Sequence, residues 1–93
     1  MIENFKQPWF EEFWNTGRHK HVPLDLKARL LRKLDILNSA KELKDLYAPP
    51  SNHLHPLHGK REGQWAISVN GPWRICFKFI EGHSLDVELI QYH

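Results

Sequence analysis

The chain has 93 residues and a mass of 11.1 kDa, enough for one hydrophobic core and too little for two, so a single domain over residues 1–93 is expected. Hydrophobic residues make up 41% and charged residues 26%, no apolar run reaches bilayer length, and Cys76 is the only cysteine; this excludes a disordered or membrane-spanning chain, an intramolecular disulfide and a cysteine-based zinc site. Net charge is only +2, but the positive residues gather in 18–33 and 51–78, a distribution that suits a polyanionic partner or a solvated basic face.

The opening Met1-Ile2-Glu3-Asn4-Phe5-Lys6 lacks the basic and apolar stretches of a secretory signal, so a cytoplasmic location is expected. Ile2 to Phe5 alternates apolar and polar residues, the pattern of a short strand. Phe10, Phe13 and Trp14 then recur at helical spacing between Pro8 and Gly17, predicting a helix from about Pro8 to Thr16. From Pro23 to about Asn38, Leu26, Leu30, Leu34 and Leu37 form one apolar stripe, while Lys27, Arg29, Arg32 and Lys33 occupy other faces and give the helix a basic exterior. Ser39-Ala40-Lys41-Glu42 fits a capping box for a further short helix ending at Pro49-Pro50.

Beyond Pro50 the period falls to two. Trp65, Ile67 and Val69 alternate with Ala66 and Ser68, and after Asn70-Gly71-Pro72 the residues Trp73, Ile75, Phe77 and Phe79 alternate with Arg74, Cys76 and Lys78. This predicts a hairpin whose turn is lengthened or bulged by Pro72. Glu81-Gly82 makes a second turn into a last strand bearing Leu85, Val87 and Leu89, which the pair Leu89-Ile90 interrupts. The fold class is therefore α+β, with helices packed on an antiparallel meander.

Seven histidines are many for this length, and His53, His55 and His58 share one loop, but no second ligand pair accompanies them and no metal is expected. A dispersed polar set is the other candidate: His55, Lys60 and Arg61 before the sheet, Arg74 in its middle strand, and Gln91, Tyr92 and His93 at the chain end. Cleaving RNA through its own 2′-hydroxyl needs a base, a cation for the phosphate and an acid for the departing 5′-oxygen, and no cofactor. Histidine suits the proton steps and arginine matches phosphate with a bidentate fork. On composition alone each residue also has a plain structural role: His55 in a turn, Arg74 on a solvated sheet face, Tyr92 partly buried.

The stretch from Leu54 to Phe77, with its L-H-P-L, G-x-W-x-I and W-R-I elements, resembles the HigB toxins, a RelE-like "killer protein" family of bacterial toxin–antitoxin systems; so do the terminal Tyr92-His93, the opening Met1-Ile2 with Phe5, and Thr16-Gly17. The resemblance implies a RelE-like fold with an N-terminal strand. It also implies a ribosome-dependent endoribonuclease that cuts translated mRNA and arrests growth. Its expected partners are the ribosome, mRNA and an antitoxin with a helix-turn-helix domain, operator DNA being reached only through that antitoxin. The free toxin is expected to be monomeric; a dimer of toxin–antitoxin heterodimers is one assembly open to the complex, whose stoichiometry the sequence does not give.

By motif position the resemblance gives His55, Arg74, Tyr92 and His93 as catalytic residues. His93 is assigned as base, Arg74 as phosphate clamp, His55 as acid or phosphate-orienting group and Tyr92 as a stacking or positioning residue; the two histidines can exchange roles. Lys60, Arg61, Lys27, Arg29, Arg32 and Lys33 are expected to contact RNA. The acidic residue that the family often places before the terminal Tyr-His is Gln91 here, which cannot take a proton. The competing expectation is a non-catalytic, ParE-like inhibitor or binding module of the same fold.

Overall fold

A computed structural model of the chain describes residues 1–92. Two helices, α1 (Pro8–Thr16) and α2 (Leu24–Ser39), precede four strands, β1 (His55–Pro56), β2 (Trp65–Asn70), β3 (Trp73–Ile80) and β4 (His83–Gln91). The strands form one antiparallel sheet in the order β1-β2-β3-β4. Pro8 opens α1 where a missing N–H costs nothing, and Gly17 closes it at φ +80° with its N–H donating to the Phe13 carbonyl at 2.7 Å. The N-terminal segment runs parallel to β4 through two bridges, Ile2 to Ser84 and Phe5 to Val87, rather than as a regular strand.

One face of the sheet is closed by the helices. Phe10 and Phe13 of α1 and Leu26, Leu30, Leu34 and Leu37 of α2 pack with Ile67, Val69, Ile75, Phe77, Val87 and Leu89 in a continuous buried core. Helix and strand periods supply these residues from one side of each element, so core packing decides which face of each strand is left for other work.

Three local expectations are corrected. The capping box lies at Glu42 and Asp45, not at Ser39 and Glu42, because Ser39 is still the last residue of α2. The segment it starts, Leu43–Tyr47, winds as a 3₁₀ turn. In β4, Leu85 leaves the core pattern: Cys76 pairs with Glu88 but Lys78 pairs with Leu85, so Asp86 and Val87 together stand opposite Phe77. Asp86 takes φ +52° at this bulge, where Asn4 Nδ2 donates to its Oδ1 at 2.8 Å. The extra residue carries Leu85 to the face that bears Lys78.

Lys33 departs from the basic exterior expected of α2. It is only 6% exposed, and its ammonium donates to Asn52 Oδ1 at 2.6 Å and Ser51 Oγ at 3.1 Å. Buried Asn52 in turn donates to the Leu46 carbonyl at 3.0 Å, so Lys33 fastens the 3₁₀ turn Pro50–Asn52 to the helix. Burial, then Arg32 and Arg29, hold its pKa below 10.5. Lys33→Met is expected to destabilise the fold by about 1–3 kcal/mol, since the Asn52 carbonyl oxygen loses its donor. The unfolded state keeps the Lys33 proton to higher pH than the folded state, so this group adds stability as pH rises from its folded pKa towards 10.5. Urea melts across the alkaline range should therefore show the deficit of Lys33→Met widening with pH; wild-type stability in the variant would remove the fastening role.

Candidate active site

The sheet face turned away from the helices is built from residues of opposite parity to the core. Pairing register aligns His55, Ala66, Cys76 and Glu88 in one row across all four strands, and Ser68, Arg74 and Ile90 in the next. Ala66 and Cys76 are fully buried yet stand outside the helix-packed core, so this face has its own cover of overlying side chains. His55 sits two inter-strand steps from Cys76, roughly 10 Å at about 4.8 Å per step.

Arg74 is fixed on this face by backbone carbonyls. Its Nη1 donates to the carbonyls of Gly71 and, at 3.0 Å, Trp73, both at the β2–β3 turn. Both bonds use the same nitrogen; among the described residues Nη2 and Nε have no protein acceptor and leave a two-donor edge for an anion. The Arg74 guanidinium carbon lies 5.9 Å from the centre of the Tyr92 ring, a cation–π contact. Tyr92 is itself held where the Pro72 carbonyl accepts its backbone N–H at 2.8 Å, and the residue remains 40% exposed. The Asn70-Gly71-Pro72 turn, bulged between Ser68 and Asn70, thus anchors both residues.

The electrostatics assign protonation states. Burial pushes the Tyr92 hydroxyl above its usual range and the neighbouring Cys76 adds to the rise, against smaller opposing effects of Arg61 and Arg74. Tyr92 is therefore a neutral phenol at neutral pH, a donor and a stacking surface but not a base. Burial likewise raises the Cys76 thiol, which Arg61, the Tyr92 hydroxyl and Arg74 only partly offset; it stays protonated and fills space beneath Tyr92.

His55 has a defined tautomer. Its Nδ1 lies 2.8 Å from the His53 carbonyl, which can only accept, so Nδ1 carries the proton and in the neutral ring Nε2 keeps its lone pair. His53 presents that carbonyl from a left-handed conformation, φ +46°. His55 is exposed at the edge of the sheet, so Nε2 is open to a substrate.

The fold brings Arg74, Tyr92 and Arg61 together and sets His55 and exposed Lys60 at the rim. His93 lies outside the described residues. Arg61 is committed to partners: its Nη1 donates to Glu88 Oε1 at 2.8 Å and Gln64 Oε1 at 3.2 Å. The Glu88 hydrogen bond, against the cost of burial, raises its pKa further. Lys27, Arg29 and Arg32 belong to α2, behind the sheet. Arg29 Nη1 reaches Asn70 Oδ1 at 3.2 Å, and Arg29, Arg32 and Lys33 line a groove of about 400 Å³ with Pro49, Ser51 and Val69. Among the described residues no group of three or more His, Cys, Asp or Glu is placed to hold a metal ion. Glu88 and Cys76 are members of the site that sequence reasoning did not select; their strand parity with Arg74, once β3 and β4 are paired, is the signal that finds them.

The chain is similar over residues 3–93 to the family described as the RelE-like toxin of type II toxin–antitoxin system HigB. It is 36% identical over 90 residues to Toxin HigB-1 of Vibrio cholerae serotype O1, covering 96% of this chain and 95% of that one. It is 34% identical over 93 residues to Endoribonuclease HigB of Proteus vulgaris, covering 100% of both. Among solved structures, YafQ from E. coli strain BL21(DE3) superposes with a TM-score of 0.62 at 16% identity, covering 98% of this chain and 91% of that one, which is a likeness of fold.

Proposed function

The chain belongs to the RelE-like HigB toxin family of type II toxin–antitoxin systems, and from that premise we propose that it is a ribosome-dependent endoribonuclease acting through the open face of its sheet. The relative named Endoribonuclease HigB matches it end to end. The observation that carries the reading is Arg74: a guanidinium fixed by turn carbonyls, in cation–π contact with Tyr92, whose Nη2 and Nε have no acceptor among the described residues.

In the reaction a histidine removes the proton of a ribose 2′-hydroxyl, the oxygen attacks the adjacent phosphorus, the bond to the 5′-oxygen breaks, and an acid protonates that oxygen. The products are a 2′,3′-cyclic phosphate and a 5′-hydroxyl. Arg74 takes the charge that gathers on the phosphate, where a fixed donor contributes most. His55 Nε2 is set for one proton step; His93 is assigned the other. The neutral Tyr92 phenol stacks on or donates to the substrate. No step calls on a metal, and one toxin domain suffices. A non-catalytic binding module would have no use for an arginine fork and an oriented imidazole carried on one sheet face.

A domain of this size has little surface with which to hold a flexible strand in line, so the ribosome supplies that order. Lys60 at the rim and Arg29, Arg32 and Lys27 on α2 are assigned to RNA phosphates; buried Lys33 is reassigned to the fold. Membership of a type II system entails an antitoxin partner, for which we propose a helix-turn-helix protein that assembles with the toxin as a dimer of heterodimers and alone contacts operator DNA. No helix among the described residues is long and apolar enough to cross a membrane, and a cytoplasmic site of action fits a target on ribosomes.

The test compares cleavage of one mRNA free and engaged on purified ribosomes. Cleavage should be at least about 100-fold faster on the ribosome, and Arg29→Gln with Arg32→Gln should raise the half-saturating toxin concentration and flatten its salt dependence without changing the saturated rate. Equal cleavage of free RNA would overturn the ribosome requirement.

A further inference from the structure

Gln91 stands opposite Trp73, on the alternation that serves the helix side, but three residues earlier the same strand turns a carboxylate to the reaction face. Glu88 pairs in register with Cys76, and its side chain is 16% exposed, against 35% for Arg61. Its Oε1 accepts the Arg61 Nη1–H at 2.8 Å.

Arg61 needs such a tether. It ends a short 3₁₀ turn, Gly59–Arg61, outside the sheet, and an arginine there is otherwise free to swing through many rotamers. Gln64 Oε1, at 3.2 Å, accepts from the same nitrogen, so Glu88 and Gln64 together fix one corner of the guanidinium. Among the described residues Nη2 and Nε have no protein acceptor, as in Arg74. Glu88, which holds Arg61, lies two residues before Ile90, the pairing partner of Arg74, so the two guanidiniums are tied to the same sheet face by different elements, and the charge of each acts on Cys76 and Tyr92.

We propose that Glu88 is a positioning residue for RNA cleavage, holding Arg61 so that its open edge and that of Arg74 flank Tyr92 as a two-arginine clamp for the scissile phosphodiester. The inference rests on the ribonuclease reading above. Glu88 itself touches no substrate and acts through Arg61 alone. The Arg61–Glu88 pair, far from wasting a cation, leaves Arg61 charged and aimed.

Single-turnover cleavage of ribosome-bound mRNA by wild type, Glu88→Gln, Arg61→Ala and the double variant, each with a thermal melt, tests this. Glu88→Gln keeps the shape but not the charge of the tether. It should slow the saturated rate roughly 10-fold with little change in half-saturating concentration or melting temperature, and Arg61→Ala should slow it at least as much. The double variant should be no slower than Arg61→Ala, because a residue that acts only through Arg61 has nothing left to lose. Wild-type cleavage by Glu88→Gln, additive losses in the double variant, or a melting temperature lowered enough to account for the loss would each overturn the proposal. Absence of cleavage by wild type would instead refute the ribonuclease reading, and the clamp with it.

Discussion

Arg74→Ala is expected to lower ribosome-dependent mRNA cleavage by about 100-fold or more, the scale on which removing a fixed donor to a charge-gathering oxygen acts. The same change should cost the fold about 1 kcal/mol or less, because Arg74 is half-exposed and its bonds run to turn carbonyls that water can satisfy. Arg74→Lys should fall between the two, retaining a charge near Tyr92 but not the fork. Growth arrest after induction, read beside a thermal melt of the purified variant, separates chemistry from folding. Full toxicity in Arg74→Ala would take this residue out of the mechanism.

His55→Asn is expected to lower the cleavage rate about 100-fold to 10,000-fold, the range of a lost acid–base group. Asparagine is chosen because its amide can still donate to the His53 carbonyl that holds the imidazole, so β1 keeps its local bond while the proton-transfer atom is lost. The pH–rate profile of the variant should lose one limb relative to wild type. If instead His55 is only a turn residue ahead of Pro56, the variant will cleave at the wild-type rate with an unchanged profile.

Much of the fold was legible because its signals are local and repeated. The bounds of α1 follow from Pro8 and Gly17, the buried stripe of α2 from leucines at helical spacing, and the β2–β3 hairpin from period-two alternation around Asn70-Gly71. The departures arise where one residue's fate depends on a distant partner. Lys33 is a solvated cation by helical position and a buried one because the turn carrying Ser51 and Asn52 folds over it. Leu85 reads as core until the bulge at Asp86, stabilised by Asn4 from the far end of the chain, shifts the register by one residue.

The site divides in the same way. Arg74, Tyr92 and His55 stand out through their motifs, and the register sets all three on or beside one sheet face. Glu88 is silent in the sequence because an acidic residue in an alternating strand usually marks a solvated face. Only the pairing of β3 with β4, and the reach of Arg61 from a turn 27 residues away, give it a role. Gln91 draws attention in the sequence as a missing acid, yet its pairing opposite Trp73 puts it on the other alternation from Tyr92.

The central claim is that this chain cleaves mRNA by turning the RNA's own 2′-hydroxyl on the neighbouring phosphate, with Arg74 and histidine supplying the charge and the protons. It is tested most directly by presenting ribosomes with an mRNA whose A-site codon carries 2′-deoxyribose at each position, alongside the all-ribose message. The account predicts that the all-ribose message is cut within that codon to give 2′,3′-cyclic phosphate and 5′-hydroxyl ends, and that the substituted codon is left intact; equal cleavage of both messages would contradict it.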